Sequence, residues 1–166
     1  ARWEFLNFGV SEYSPISNLI ILENGRVTGF KPNALLVVGH GADLMTTDHV
    51  LWGINNDAIT HDYLRRAVDS VGITRDLPRS EQLKRLRPLE RQIVTETFRR
   101  LKAVGEAAGA RVFWVYVPTP MQKPTEAREA MVIEVAKDAG LDVIDLRGLF
   151  AGKDELSLVV ADGDRH

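Results

Sequence analysis

The chain has 166 residues, 45% of them apolar and 27% charged, and holds no cysteine. Such a composition excludes a disordered or collagen-like chain, and the missing cysteine excludes a disulfide, a thiolate zinc site and a cysteine nucleophile. Lys and Arg number 21 against 23 Asp and Glu, a net charge of -2. That balance speaks against an electrostatic nucleic-acid binder, which carries a strongly basic face. Apolar runs such as Ala34–Val38 and Val112–Val117 are strand-sized, well short of the roughly 20 residues a membrane helix needs, so no membrane insertion is expected.

Taken in chain order, Trp3–Phe8 alternates like a strand. Ser14-Pro15 supplies an N-cap and a first-turn proline, and Ile16, Leu19, Ile20 and Leu22 continue at helical spacing, with Gly25 and Gly29 weakening the end. Lys31-Pro32-Asn33 is a turn. Ala34–Val38 then reads as a strand buried on both faces. The stretch His40–Asp48 is polar. A helix is predicted over Asp57–Val71, and Leu77–Ser80 breaks it, with Ser80 as the next cap. Leu83, Leu86, Leu89, Ile93, Leu101 and Val104 mark a long amphipathic segment interrupted near Pro88. Its basic residues alternate with Glu81, Glu90 and Glu96, the pattern of a solvated face with i,i+4 pairs.

Arg111–Val117 is a strand ended by Pro118-Thr119-Pro120, with Trp114 and Tyr116 placed for core packing. Thr125–Ala139 is a helix closed by Gly140. Leu141–Leu146 is the last strand, and Arg147–His166 is loop-like. The order β-α-β-α-α-β-α-β demands crossover connections and a mostly parallel sheet. Ligands of such sheets sit outside the carboxyl ends of the strands. The loops there are 9–14, 39–47, 118–124 and the tail.

Three of these segments carry candidate chemistry. Asn7-Phe8-Gly9-Val10-Ser11-Glu12-Tyr13-Ser14 follows the first predicted strand, Gly39-His40-Gly41-Ala42-Asp43 the second, and Asp162-Gly163-Asp164-Arg165-His166 ends the chain. In this order, with the Ser14-Pro15 helix start and the Lys31-Pro32-Asn33 lead, the sequence resembles the SGNH (GDSL-type) hydrolases along nearly its whole length. The resemblance implies a flavodoxin-like three-layer α/β/α sandwich. It also implies hydrolysis or transfer of the acyl group of a small or carbohydrate-linked ester through a serine acyl-enzyme, with no cofactor and no metal. His166 would be the general base, with Asp164 or Asp162 orienting it. The backbone N–H of Glu12 would be one oxyanion donor. Ser11, Gly41, Ala42, His40 and Asp43 would line the pocket.

The chain departs from the family pattern at the points that matter for catalysis. Glu12 stands where the family has its oxyanion glycine, and Ala42, which cannot donate, stands where it has asparagine; His40 is the nearby side chain that could substitute as donor. No Gly-Asp-Ser occurs. The expectation is a single SGNH-like domain over 1–166 that lacks the first strand with its serine, so that another segment or chain would complete the sheet. An extracytoplasmic location is favoured by the resemblance alone. The competing expectation is a non-catalytic relative that binds polysaccharide or a protein partner. A flavin or nucleotide module ranks below both, because no glycine-rich phosphate loop follows a strand. Asp43 as a simple cap, and His49, His61, Asp48 and Asp62 as incidental polar residues, are the plain alternatives to an active site or a metal centre.

Overall fold

A computed structural model of the chain describes residues 4–9, 14–40, 46–118 and 126–153. Its three strands, β1 (Ala34–Gly39), β2 (Arg111–Tyr116) and β3 (Asp142–Asp145), form one parallel sheet in the order β1-β2-β3. Six α-helices accompany it among the described residues: α1 (Pro15–Glu23), α2 (Thr47–Asn55), α3 (Asp62–Ser70), α4 (Arg79–Leu86), α5 (Glu90–Ala107) and α6 (Glu126–Asp138). This is an α/β fold with a parallel sheet, the class expected from the sequence.

Local chemistry explains most element boundaries. Ser14 caps α1: its Oγ accepts the Ser17 N–H at 3.3 Å, and Pro15 fills the first helical position. A 3-10 turn at Arg87–Leu89 separates α4 from α5 around Pro88, whose missing N–H and fixed ring interrupt a continuous helix. Gly140 takes φ +80 just past α6, a conformation that side-chain-bearing residues rarely adopt.

The strand order also fixes where the helices lie. Parallel strands entered one after another in the same direction, through right-handed crossovers, place both crossover layers on the same face. Accordingly α5 packs on β2 and α1, while α6 packs on β3 and α5. Under α5 the sheet presents Leu35 and Val37 of β1, then Val112, Trp114 and Tyr116 of β2. Trp114 and Tyr116 are fully buried, and the Phe98 ring of α5 stands 5.8 Å from that of Trp114.

The opposite face behaves differently. Register pairs Leu36 with Phe113, and Val38 with Val115 and Ile144, in two cross-strand rows. Leu36 is 57% exposed, Val38 62% and Ile144 39%. The expectation that Ala34–Val38 is buried on both faces is therefore corrected: the alternate residues Leu35 and Gly39 are buried, and Leu36 and Val38 face outward. The physical reason is the shared hand of the two crossovers, which spends the described helices on one side. A sandwich's second helix layer would lie over this open face.

Other expectations are also revised. The described part of the Trp3–Phe8 segment forms no strand, and the Phe8 ring instead lies tilted against that of Phe30, with centroids 5.4 Å apart. Helix α2 falls partly inside the stretch read as polar, because Val50, Leu51 and Ile54 place an apolar stripe on a short helix. The predicted Asp57–Val71 helix starts only at Asp62. Pro78, not Ser80, holds the N-cap position of α4. The basic residues of α4 and α5 are laced as predicted, by the i,i+4 pairs Arg85–Glu81 on α4 and Arg100–Glu96 on α5.

Gly105 is where α5 comes closest to the sheet. A Cβ there would clash with Val112 Cγ2 and stand 3.0 Å from Leu35 Cδ1. Alanine would gain about 1 kcal/mol of helix propensity, but overpacking costs about 1–3 kcal/mol. Gly105→Ala is therefore expected to lower the denaturation midpoint at unchanged m-value; a raised midpoint would contradict the tight approach.

Candidate functional site

In a parallel sheet all strands end at one rim, and here Gly39, Tyr116 and Asp145 reach it in register. Backbone pairing continues one step beyond the strands. The Val117 N–H donates to the Gly39 carbonyl and the Leu146 N–H to the Tyr116 carbonyl, each at 3.0 Å. The rim is thus held rigidly where His40 leaves β1, Val117-Pro118 leave β2, and Leu146-Arg147 leave β3.

His40 is exposed by accessible surface, yet its ring is desolvated enough that burial holds its pKa below the ordinary imidazole value. It enters any rim chemistry as a neutral ring near pH 7, able both to donate and to accept. At the other end, Tyr116 is buried and its hydroxyl donates to Glu129 Oε1 at 2.6 Å. Desolvation, and then that carboxylate, push the phenol well above its usual range, so it stays protonated. Asp145 accepts the Arg147 backbone N–H at 3.0 Å and is gripped by the guanidinium through Nε and Nη2, at 3.0 and 2.7 Å. The Arg147 side chain holds the Asp145 carboxyl below the usual carboxylate range. Glu129, Ala130, Asp145, Arg147 and Gly148 line a cleft of about 690 Å³ beside this rim.

A second polar cluster ties α1 to its neighbours. His49 Nδ1 lies 3.2 Å from Ser14 Oγ and 3.4 Å from Ser17 Oγ, joining the start of α1 to α2. His61 is buried; its Nε2 meets Glu23 Oε2 at 2.7 Å and its Nδ1 meets Thr60 Oγ1 at 2.8 Å, joining the end of α1 to α3. Beyond it, the Tyr63 hydroxyl shares a buried 2.7 Å hydrogen bond with Thr97 Oγ1, and desolvation pushes that phenol up to about 12. Read from sequence, His49 and His61 are incidental loop histidines. The structure makes both of them connectors between helices. Ser14-x-x-Ser17 at a helix start was the available signal, since such serines present hydroxyls side by side.

Of the residues singled out in the sequence, the structure places His40 at the carboxyl rim of β1. Ser11, Glu12, Gly41, Ala42, Asp43, Asp162, Asp164 and His166 lie outside the described residues. The Asn7–Gly9 turn is described, and Asn7 Oδ1 accepts the Gly9 N–H at 2.8 Å. Among the described residues no helix is long and apolar enough to cross a membrane. No protein-family model, curated protein or solved structure matches the chain.

The His49 cluster has a pH signature. Desolvation, helped by the nearby His61, lowers the His49 pKa in the folded state below its unfolded value. The folded state then binds fewer protons, so this contribution is present above the unfolded pKa of about 6.5 and fades as pH falls toward the folded one. Stability is expected to drop as pH falls below about 6.5, and His49→Gln should flatten that slope in chemical denaturation. An unchanged slope in the variant would contradict the assignment.

Proposed function

We propose that the chain is an SGNH-type acyl-ester hydrolase or O-acyltransferase acting on a small or carbohydrate-linked ester. The observation that supports this reading most is the parallel strand order, which sends the chain out of β1 and out of β3 at one rim. The Gly41-Ala42-Asp43 segment follows β1 by one residue, and Asp162–His166 lies downstream of β3. The chain thus leaves β1 and β3 toward both of these blocks at one edge, the edge where parallel sheets bind ligands.

In this reading the nucleophile is a serine hydroxyl from a segment outside these 166 residues, because no Gly-Asp-Ser occurs among them. Among the described residues β1 pairs with β2 alone, and its other edge is where a strand bearing it would pair. His166 takes the hydroxyl proton as the oxygen attacks the acyl carbonyl, and Asp164 (or Asp162) holds the imidazolium that forms. The tetrahedral oxyanion is met by the Glu12 N–H and by His40. As the carbonyl re-forms, the leaving alcohol recovers the proton from His166. Water or a second hydroxyl then releases the acyl group, giving hydrolysis or transfer.

Glu12 and Ala42 motivate a second reading, a non-catalytic module that binds a polysaccharide or a protein partner at the same rim. Each replaces a group that would stabilise negative charge, and one lost donor costs about 10²–10³ in turnover. Hydrolysis of p-nitrophenyl acetate by the full-length chain separates the two. The enzyme reading predicts turnover that falls about 10³-fold or more in His166→Ala and rises about 10²-fold in Ala42→Asn. Equal turnover in wild type and His166→Ala would discard the proposed base, and no turnover in any form would favour the binding module.

A further inference from the structure

We propose that the cleft at the carboxyl ends of β2 and β3 is a sugar-binding subsite, in which Glu129 accepts from, and Arg147 donates to, neighbouring hydroxyls of a neutral pyranose ring. The choice of a sugar among hydroxyl-rich ligands rests on the carbohydrate reading above; the placing of donor and acceptor does not.

The polar lining is held in place by the protein itself. Tyr116 is fully buried, and its hydroxyl donates to Glu129 Oε1 at 2.6 Å. That bond fixes the carboxylate in the first turn of α6 and leaves Oε2 as an acceptor with no partner among the described residues. Asp145 fixes Arg147 in the same way. Its Oδ2 accepts from Nε at 3.0 Å and from Nη2 at 2.7 Å, and its Oδ1 accepts the Arg147 backbone N–H at 3.0 Å. The two N–H groups on Nη1 are left without a partner among the described residues. The turn that follows is itself tied, with the Leu149 N–H on the Leu146 carbonyl at 2.9 Å and the Ala151 N–H on the Gly148 carbonyl at 3.1 Å. Side chains already ordered lose little freedom on binding, which favours a ligand held by hydrogen bonds.

The charge pattern selects the class of ligand. Glu129 and Asp145 set two carboxylates against one guanidinium around the cleft. An anion such as phosphate meets an excess of negative charge there, and the single cation is already paired with Asp145. An ammonium group meets Arg147. A neutral ligand meets neither repulsion, and vicinal hydroxyls supply a donor for Glu129 and an acceptor for Arg147 side by side. Ala130 and Gly148 keep the rest of the lining small, and the volume of about 690 Å³ suits a ring-sized ligand. The cleft lies at the carboxyl ends of parallel strands, where such sheets bind ligands.

Gly148 allows a direct test, because a Cβ added there meets no atom within 4 Å, so a larger side chain enters the cleft without disturbing the fold. The isotope-labelled full chain is titrated in nuclear magnetic resonance experiments with the methyl glycosides of glucose, galactose, mannose and N-acetylglucosamine, each into the tens of millimolar, and separately with inorganic phosphate. Saturable shifts of the Ala130, Leu146 and Gly148 amide signals are expected with at least one glycoside, and none at Asn33 before β1. Glu129→Gln and Arg147→Ala should each weaken that binding about tenfold, the loss of one hydrogen bond to a charged group. Gly148→Leu should abolish it while leaving the remaining spectrum unchanged. No saturable shift with any of the four glycosides, undiminished binding by Gly148→Leu, or saturable binding of phosphate in their place would overturn the proposal. Glycoside binding by a chain that leaves p-nitrophenyl acetate intact would refute the ester reading and keep this one; ester turnover without glycoside binding would do the reverse.

Discussion

The structure depends on the contact between α5 and the sheet. Ile93, Val94, Phe98, Leu101 and Gly105 form one buried stripe along α5, and that stripe meets Leu35, Val112 and Trp114 on the covered face. Glycine at position 105 lets the helix backbone come near Val112; a larger residue would lift α5 away from both β1 and β2. From this contact the remaining layers are built outward, with α1 and α6 packed on either side of α5. The same packing holds the carboxyl ends of the strands level, which gives the rim its defined geometry.

One face of the sheet is consequently buried and the other is not. Full burial of a Leu or Val side chain contributes roughly 1.5–3 kcal/mol, so Leu36 and Val38 leave a substantial fraction of that unrealised. The β1 sequence Ala-Leu-Leu-Val-Val-Gly, whose edge away from β2 is unpaired among the described residues, carries no charge or proline, unlike strands that natural proteins leave at a sheet margin. Edge and face are separate features, and different occupants suit them: a paired strand for the backbone groups, and an apolar cover for the side chains.

Much of the fold was legible in the sequence. Continuous apolar runs marked β1 and β2, Ser14-Pro15 marked the start of α1, Pro88 marked the break before α5, and Gly140 marked the end of α6. Helix α2 was not legible, because its apolar stripe is short and follows directly on a polar loop. The strand predicted at Trp3–Phe8 shows the opposite failure: alternation is a local signal, whereas pairing needs a neighbour, and Phe8 finds Phe30 instead. Two-sided burial of β1 was read from composition, which records what a strand can tolerate and not which side the crossovers cover. Of the site, the position of His40 at the rim followed from topology. The roles of His49 and His61 did not, since their partners Ser14 and Glu23 lie more than thirty residues away in sequence.

The functional account rests on His166 sharing a rim with His40, and a distance measurement tests this most directly. A nitroxide attached to His166→Cys, the single cysteine of such a variant, broadens nearby backbone amide signals in nuclear magnetic resonance spectra. The account predicts strong broadening at His40, Val117 and Leu146, with Asn33, Arg111 and Leu141 at the amino end of the strands left sharp. Broadening confined to Asn33, Arg111 and Leu141 would put the imidazole at the wrong end of the sheet and contradict the account.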